Sequence, residues 1–408
     1  MSLNDVNAWP DIEQAPNAPL RAAIARELLE RMTRSIDVEV RLPDGTSRRQ
    51  GAPVCMQITS DRFFHRLGSE LKIGLGEAYM AGDWAAAPGS DLADVLTPFA
   101  ARLTDLVPPW MRRFRRLLEP LHPEHEENHK HGARQNISRH YDLSNALFST
   151  FLDETLTYSS AMFGESRDWA SLPAAQQRKI DSVLDFARVG AGTRVLEIGT
   201  GWGELALRAA ARGAHVHSIT LSTEQKALAE QRILAAGLHD RVTVELCDYR
   251  DVQGEYDAVV SVEMIEAVGV KYWPTYFETV GRLLAPGGRF GLQAITMPDD
   301  RLRASAHAYT WIHKYIFPGG VIPSPEAIAE HAQDDGHMTI VDECAFGIDY
   351  ADTLRLWRHR FMEHRDQVLQ LGFDATFIRM WEFYLAYSEA GFRSGHLNVR
   401  QYAMERAS

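Results

Sequence analysis

The chain has 408 residues, of which 45% are hydrophobic and 24% charged, which is typical of a globular protein with two or three domains. Its formal net charge of -12 argues against a protein whose whole surface binds nucleic acid, and no apolar run approaches the roughly 20 residues that span a bilayer. The chain has three widely separated cysteines, Cys55, Cys247 and Cys344, which lack metal-ligand spacing and predict no disulfides. The N-terminus is acidic and has no apolar leader, so we expect a cytoplasmic protein.

Residues 1–119 are predicted to form a small mixed α/β domain. It contains a helix over residues 20–33 and a strand over residues 38–42, which alternates apolar and polar side chains. The Pro43-Asp44-Gly45 turn that follows predicts a hairpin. Residues 120–139 are polar, rich in His and poor in apolar residues, and we interpret them as a linker to a second domain over residues 140–408.

The second domain follows a pattern of strand, Gly-rich turn, helix, strand, helix and strand, which predicts a doubly wound α/β fold. The predicted strands are residues 194–198, 215–221, 242–247, 258–262 and 289–295. After residue 309 the sequence is rich in aromatic residues and is predicted to be largely helical, with a late helix over residues 381–392.

Three glycines mark the end of the first predicted strand. In the sequence VLEIGTGWG, Gly199, Gly201 and Gly203 permit a sharp turn and a close approach of the backbone to a ligand. The GxGxG spacing differs from the GxGxxG of dinucleotide-binding domains, and an acid, Asp248, follows the third strand. Together these features predict a site for S-adenosylmethionine (SAM); a turn made only for packing is the alternative.

The second predicted strand ends in polar but uncharged groups. It lacks an acid for the ribose and ends Ile219-Thr220-Leu221-Ser222, with Gln225 about one helical turn further on. Hydroxyl and amide groups such as these can form hydrogen bonds to ribose or methionine atoms.

Several ordered segments carry a resemblance to one enzyme family. They are residues 140–145 (HYDLSN), 156–163 (LTYSSAMF), 219–225 (ITLSTEQ), 248–251 (DYRD), 264–269 (MIEAVG), 272–277 (YWPTYF), 314–320 (KYIFPGG) and 346–350 (FGIDY). From about residue 20 onwards, the sequence thus resembles the cyclopropane fatty acid synthase and mycolic acid methyltransferase family.

This resemblance implies a cofactor site, a substrate and a location. The substrate would be an unsaturated acyl chain of a phospholipid, engaged by the N-terminal domain of a homodimer that is peripheral on the inner face of the membrane. The implied SAM-binding residues are Tyr158, Ser159, Gly199, Gly201, Thr220, Leu221, Ser222, Gln225, Asp248 and Tyr249.

The resemblance also implies a mechanism. In such enzymes an alkene attacks the sulfonium methyl group, and the resulting cation loses a proton to a bound bicarbonate, which is held by a Cys, a Glu, a His, a Tyr and an Ile backbone. The matching positions in this chain are Ser160, Glu266, Gln293, Tyr350 and Ile295.

Two of these side chains differ from the family pattern, and Ala267 replaces a His that often follows the Glu. Neither Ser160 nor Gln293 titrates near neutral pH, so whether bicarbonate binds stays open. The changes favour a methyl-branched or methylene product, with a cyclopropane ring as the alternative.

Aromatic side chains are predicted to line an apolar tunnel that excludes water and stabilises positive charge, although ordinary core packing is the alternative for each of them. They are Tyr309, Trp311, Tyr315, Phe317, Tyr350, Trp381, Phe383 and Tyr384.

Two further segments have features that suggest other roles. Residues 108–118, which include four arginines, predict either an amphipathic helix on an anionic bilayer or an ordinary surface helix. The histidines of residues 122–131 fit no standard zinc spacing, so no metal is expected. A SAM-dependent enzyme for a soluble small molecule and a non-catalytic lipid-binding protein remain the competing functions.

Overall fold

The computed structural model describes residues 9–102, 144–306 and 308–406, which fall into two compact units. The first unit takes its described residues from Met1–His122, Ala308–Ile316 and Trp357–His396. The second takes them from Pro123–His307, Phe317–Leu356 and Leu397–Ser408. The predicted linker, the histidine run and the basic helix at residues 108–118 lie outside the described residues. Two segments from the later half of the chain therefore pack with the N-terminal residues.

The described residues contain both helices and strands. In chain order they are α1 (Pro10–Glu13), α2 (Pro19–Thr33), β1 (Val38–Arg41), β2 (Ser47–Arg48), β3 (Val54–Ile58), α3 (Arg62–Ser69), α4 (Leu71–Met80), β4 (Trp84–Ala86), α5 (Leu92–Ala101), α6 (Asn145–Phe148), α7 (Leu172–Phe186), β5 (Arg194–Ile198), α8 (Glu204–Ala211), β6 (His215–Thr220), α9 (Thr223–Ala235), β7 (Val242–Leu246), β8 (Tyr256–Val262), α10 (Trp273–Leu283), β9 (Leu284–Thr296), α11 (Asp299–Ser305), α12 (Trp311–Tyr315), α13 (Pro325–Asp334), β10 (Met338–Ala345), α14 (Gly347–Glu363), α15 (Arg365–Gln370), α16 (Ala375–Arg393) and β11 (Asn398–Arg406). Short 3₁₀ turns lie at Tyr249–Asp251, Ile265–Ala267 and Val270–Tyr272.

The first unit contains a four-stranded sheet in the order β2-β1-β3-β4. The predicted hairpin is confirmed, because β1 pairs with β2 in an antiparallel manner and Gly45 takes a φ of 82° in the turn. Aromatic rings form much of its core: Trp311 lies edge-on to Phe383 with the ring centroids 4.8 Å apart, and Tyr79 contacts both Trp84 and Phe383. Helices α12 and α16 thus belong to the hydrophobic core of this unit.

The second unit contains a seven-stranded sheet in the order β10-β11-β9-β8-β5-β6-β7. Strands β5 to β9 are parallel and coincide with the five predicted strands, which are confirmed. The prediction that the chain is largely helical after residue 309 is wrong at β10 and β11, which add an antiparallel pair to β9. Their polar residues, such as those of the MTIVDECA sequence of β10, give neither an apolar run nor a clean alternation.

Helices cover both faces of this sheet. Val195 of β5 packs with α7, α8 and α9, whereas its neighbour Leu196 packs with α10 and α13 on the opposite face. Successive strand residues point to opposite faces, and because helices cover both faces, Val195 and Leu196 are both fully buried. The predicted doubly wound α/β fold is confirmed. Among the described residues, no helix is long and apolar enough to cross a bilayer.

The parallel strands place the candidate site. Because β5, β6, β7 and β8 run in the same direction, their carboxyl ends meet at one edge of the sheet. The loops that follow these strands carry the Gly-rich turn, residues 221–222, Asp248 and residues 263–269.

Candidate active site

A cavity lies at this edge of the sheet in the second unit. Its empty space, including the part that is open to solvent, is about 970 Å³. Most of the predicted cofactor residues line it, namely Tyr158, Ser159, Gly199, Gly201, Thr220, Leu221, Gln225 and Tyr249.

The Gly-rich turn lines the cavity through residues 199–202. Gly199, Gly201 and Gly203 all have positive φ angles, of 100°, 52° and 91°, which L-residues rarely adopt. A Cβ atom on Gly199 would lie 2.6 Å from Cγ of Met264, whereas one on Gly201 would meet no protein atom within 4 Å. Gly201 therefore leaves space where a ligand can approach the backbone.

Two of the predicted cofactor residues do not line the cavity. Oγ of Ser222 accepts a hydrogen bond from the backbone N–H of Gln225 and caps α9. The carboxylate of Asp248 accepts hydrogen bonds from Nε and Nη2 of Arg250, at 2.7 and 2.6 Å. Both side chains thus have partners within the chain, and their role toward the cofactor stays a prediction.

The cavity is also lined by two buried titratable residues, Glu197 and Lys179, which were not predicted from the sequence. Glu197, 2% exposed, accepts a hydrogen bond from Oγ of Ser218 at 2.5 Å, and desolvation raises its pKa to about 8. Nζ of Lys179, 1% exposed, donates to Oγ of Ser159 at 2.5 Å, and desolvation lowers its pKa to about 8. An acid inside the apolar strand VLEIG was a usable signal for Glu197; Lys179 lies on an ordinary amphipathic helix and offered none.

A third residue missed by the sequence reasoning, Glu263, lies at the centre of a hydrogen-bond cluster. Its Oε1 accepts from the backbone N–H of Ser160 at 3.0 Å and from Nε2 of Gln293 at 2.8 Å. Its Oε2 accepts from the Tyr350 hydroxyl at 2.6 Å. Desolvation raises the pKa of Glu263, against the opposing effects of Lys179 and of these donors.

The donors on Glu263 are held in place by further hydrogen bonds. Oε1 of Gln293 accepts from Nε2 of Gln401 at 2.9 Å, so the Gln293 amide presents its N–H group to the carboxylate. The Ser160 hydroxyl instead donates to the carbonyl of Ala161 at 2.9 Å. Three of the predicted catalytic positions, Ser160, Gln293 and Tyr350, are thus brought together around a carboxylate that was not predicted.

Glu266 lies close to this cluster but has different partners. Its Oε1 accepts from the backbone N–H of Ile295 at 2.5 Å. Its Oε2 is buried and has no hydrogen-bond partner among the described residues. Desolvation, followed by the nearby charge of Glu263, raises the pKa of Glu266 to about 8, so its carboxyl is mostly neutral at pH 7.

The predicted tunnel residues are divided between the two units. Phe317 and Tyr350 belong to the second unit, and Tyr309, Trp311, Tyr315, Trp381, Phe383 and Tyr384 belong to the first. Within the first unit, Trp311 contacts Tyr315 and Trp381 contacts Tyr384, as core residues do. The tunnel stays a prediction. Among residues 9–102, 144–306 and 308–406, no cluster of His, Cys, Asp and Glu could hold a metal ion.

Comparison with solved structures and characterised proteins identifies the class. The mycolic acid cyclopropane synthase CmaA1, solved in complex with SAH and CTAB, matches with a TM-score of 0.62 and 27% identity, over 70% of this chain and 99% of that chain. The doubly wound sheet and the Gly-rich cavity at its carboxyl edge are those of a SAM-dependent methyltransferase, and both predictions, of the enzyme class and of SAM, are confirmed.

Sequence relatives narrow this class to a family. Residues 128–402 match the mycolic acid cyclopropane synthetase model, and the chain belongs to that family. It is 50% identical to the tuberculostearic acid methyltransferase UfaA1 of Mycobacterium tuberculosis, over 98% of this chain and 96% of the relative. It is 34% identical to the cyclopropane-fatty-acyl-phospholipid synthase of Escherichia coli, over 94% of this chain and 93% of the relative.

Proposed function

We propose that this enzyme transfers the methyl group of SAM to a double bond of an unsaturated phospholipid acyl chain, and that the product is a methylene or methyl-branched chain. The observation that carries the proposal is the near full-length similarity to a tuberculostearic acid methyltransferase, at 50% identity. The cyclopropane synthase relative, at 34% identity over a similar length, keeps ring formation as the second candidate.

The lining of the cavity supports the predicted cofactor residues. The space beside Gly201 accepts the amino acid part of SAM, and Tyr249 and Leu221 offer apolar surface for the adenine. Thr220 and Gln225, whose side chains are joined by a hydrogen bond of 2.8 Å, supply polar groups for the ribose. Tyr158 and Ser159 also line the cavity.

The chemistry proceeds through a cation on the acyl chain. The π electrons of the alkene form the new bond to the methyl carbon, the carbon–sulfur bond breaks, and S-adenosylhomocysteine leaves. The adjacent chain carbon becomes positively charged, and a 1,2-hydride shift moves this charge to the methylated carbon. Loss of a proton from the methyl group then gives an exocyclic methylene. Buried carboxylates and aromatic faces stabilise such a cation.

A saturated methyl branch needs one further step. Reduction of the methylene group requires a hydride and a proton, and methyl transfer from SAM supplies neither. The immediate product of this enzyme is therefore a methylated but still unsaturated chain, which a separate reductase and a hydride donor would convert to the methyl-branched acid.

The proposal is tested by the structure of the lipid product. The enzyme is incubated with monounsaturated phospholipid vesicles and SAM that carries a fully deuterated methyl group, and the lipids are analysed by mass spectrometry and NMR. We expect an exocyclic CD₂ methylene group, or an intact CD₃ group beside a chain double bond. A cyclopropane ring as the main product would contradict the proposed product but not the transfer to an acyl chain.

A further inference from the structure

The donors predicted to hold an exchangeable anion are already bonded to carboxylates of the chain. The backbone N–H of Ser160, the Gln293 amide and the Tyr350 hydroxyl all donate to Glu263. The backbone N–H of Ile295 donates to Glu266. Bicarbonate therefore does not fit this arrangement well, because these four donors already have acceptors in the chain.

The backbone at Glu263 is also strained. Its φ is 51°, in the left-handed region, which costs about 1–3 kcal/mol for a residue other than Gly. Such a conformation persists only where the surroundings stabilise it, and here the three donors hold the side chain. The strained residue lies directly after β8 and faces the cavity that Lys179 and Tyr158 also line.

We infer that Glu263 is the built-in base of this active site, and that it replaces an exchangeable anion by accepting the proton lost from the methylated acyl chain. In this step a C–H bond beside the cationic carbon breaks and its electron pair forms the new carbon–carbon double bond. The proton moves to a carboxylate oxygen of Glu263 and is released to water before the next turnover. Ser160, Gln293 and Tyr350 act as positioning residues. The inference rests on the proposed function.

The electrostatics of the cluster agree with this role. A general base works best when its pKa lies near the working pH, and removal from water raises the pKa of Glu263 above its usual range. The positive charge of Lys179 opposes that shift and keeps the carboxylate form accessible. After the proton has moved, the Glu263 carboxyl is neutral and is readily accommodated at this site.

Bicarbonate dependence of the wild-type enzyme is the first test. Methyl transfer from labelled SAM to monounsaturated phospholipid vesicles is measured in CO₂-free buffer, with and without added bicarbonate. We expect turnover to agree within about twofold, because the base belongs to the chain. A rise of about fivefold or more on adding bicarbonate would overturn the inference.

Removal of the carboxylate is the second test. Glu263→Gly relieves the strained φ and opens the space that bicarbonate would occupy. We expect turnover of this variant in CO₂-free buffer to fall about 100-fold or more, with its affinity for SAM nearly unchanged. Glu263→Gln keeps the volume and gives the same comparison if the Gly variant does not fold. His337→Gly is the matched control, since His337 has a φ of 52° on an exposed turn outside the cavity. Turnover of Glu263→Gly within about threefold of wild type would refute the assignment.

Binding of ¹³C-labelled bicarbonate gives a readout that does not depend on activity. We expect the NMR line of bicarbonate to broaden in the presence of Glu263→Gly and to stay sharp in the presence of the wild-type enzyme. The inference would be overturned if the wild-type enzyme broadened the line and the Tyr350→Phe variant did not. Absence of methyl transfer to any acyl lipid by a SAM-binding wild type would refute the proposed function, and the inference with it. Wild-type methyl transfer that needs bicarbonate refutes the inference alone.

Discussion

Gly201 shows how a single residue determines whether the cofactor can approach the backbone. Its φ of 52° and the open space beside its Cα are separate properties, and only the second concerns the ligand. The conformational cost of an L-residue at such an angle is about 1–2 kcal/mol, which most folds tolerate.

Replacing Gly201 with Leu is therefore expected to spare the fold and remove SAM binding. The side chain would enter the cavity beside the turn, and we expect affinity to fall about 100-fold or more, equivalent to about 2.8 kcal/mol. Calorimetric titration with SAM measures this loss. Gly254→Leu is the matched control, because Gly254 has a φ of 99°, has equally open surroundings and lies outside the cavity. SAM affinity retained within a few fold in Gly201→Leu would show that the cofactor does not occupy this space.

Strand β11 shows how an element far along the chain completes the site. It pairs with β9 so that Gln401 lies opposite Gln293, and Nε2 of Gln401 donates to Oε1 of Gln293 and to the carbonyl of Lys179, at 2.9 Å each. The strand therefore fixes the orientation of an amide that donates to Glu263.

Replacing Gln401 with Leu removes this constraint at nearly constant volume. We expect a loss of stability of about 1–3 kcal/mol, since the buried Gln293 and Lys179 oxygens lose their donors. Turnover should fall about tenfold while SAM affinity is kept, because the Gln293 amide can then turn its oxygen toward Glu263. The control is Ser182→Ala, which removes only the hydrogen bond from Oγ of Ser182 to Oε1 of Gln401. Equal turnover in the Leu variant and wild type would rule out a positioning role for Gln401.

Attachment to a membrane surface is a property of the whole molecule. The chain has a net charge of -12, yet residues 112–116 contain four arginines beside Trp110 and Phe114. This segment lies outside the described residues, so its role as an interfacial helix stays a prediction from the sequence, as does the homodimer.

Charge reversal of Arg112, Arg113, Arg115 and Arg116 is expected to weaken binding to anionic vesicles. Each basic group near such a surface contributes about 1 kcal/mol, so affinity should fall about 100-fold or more. Co-sedimentation with phosphatidylglycerol vesicles measures the change. Unchanged partitioning would favour an ordinary surface helix. The control carries the same reversal at four exposed arginines elsewhere, Arg34, Arg188, Arg241 and Arg365.

At this same scale, the sequence by itself determined the doubly wound sheet, the Gly-rich turn and the cofactor. Apolar runs separated by turn residues are local patterns, and they predicted all five parallel strands. Because parallel strands end at one edge, they also predicted that Gly201 and Thr220 would share a cavity. Motifs compared along the chain gave the family.

Only the tertiary structure decided the identity of the buried groups that meet. Glu263 receives donors from residues 160, 293 and 350, and the orientation of one donor depends on residue 401, in a polar strand that no local pattern predicted. Lys179 reaches Ser159 from an ordinary amphipathic helix. A hydrogen bond between such distant residues requires a particular strand order and register, and these are set by the packing of the whole unit, not by the segment in which each residue lies.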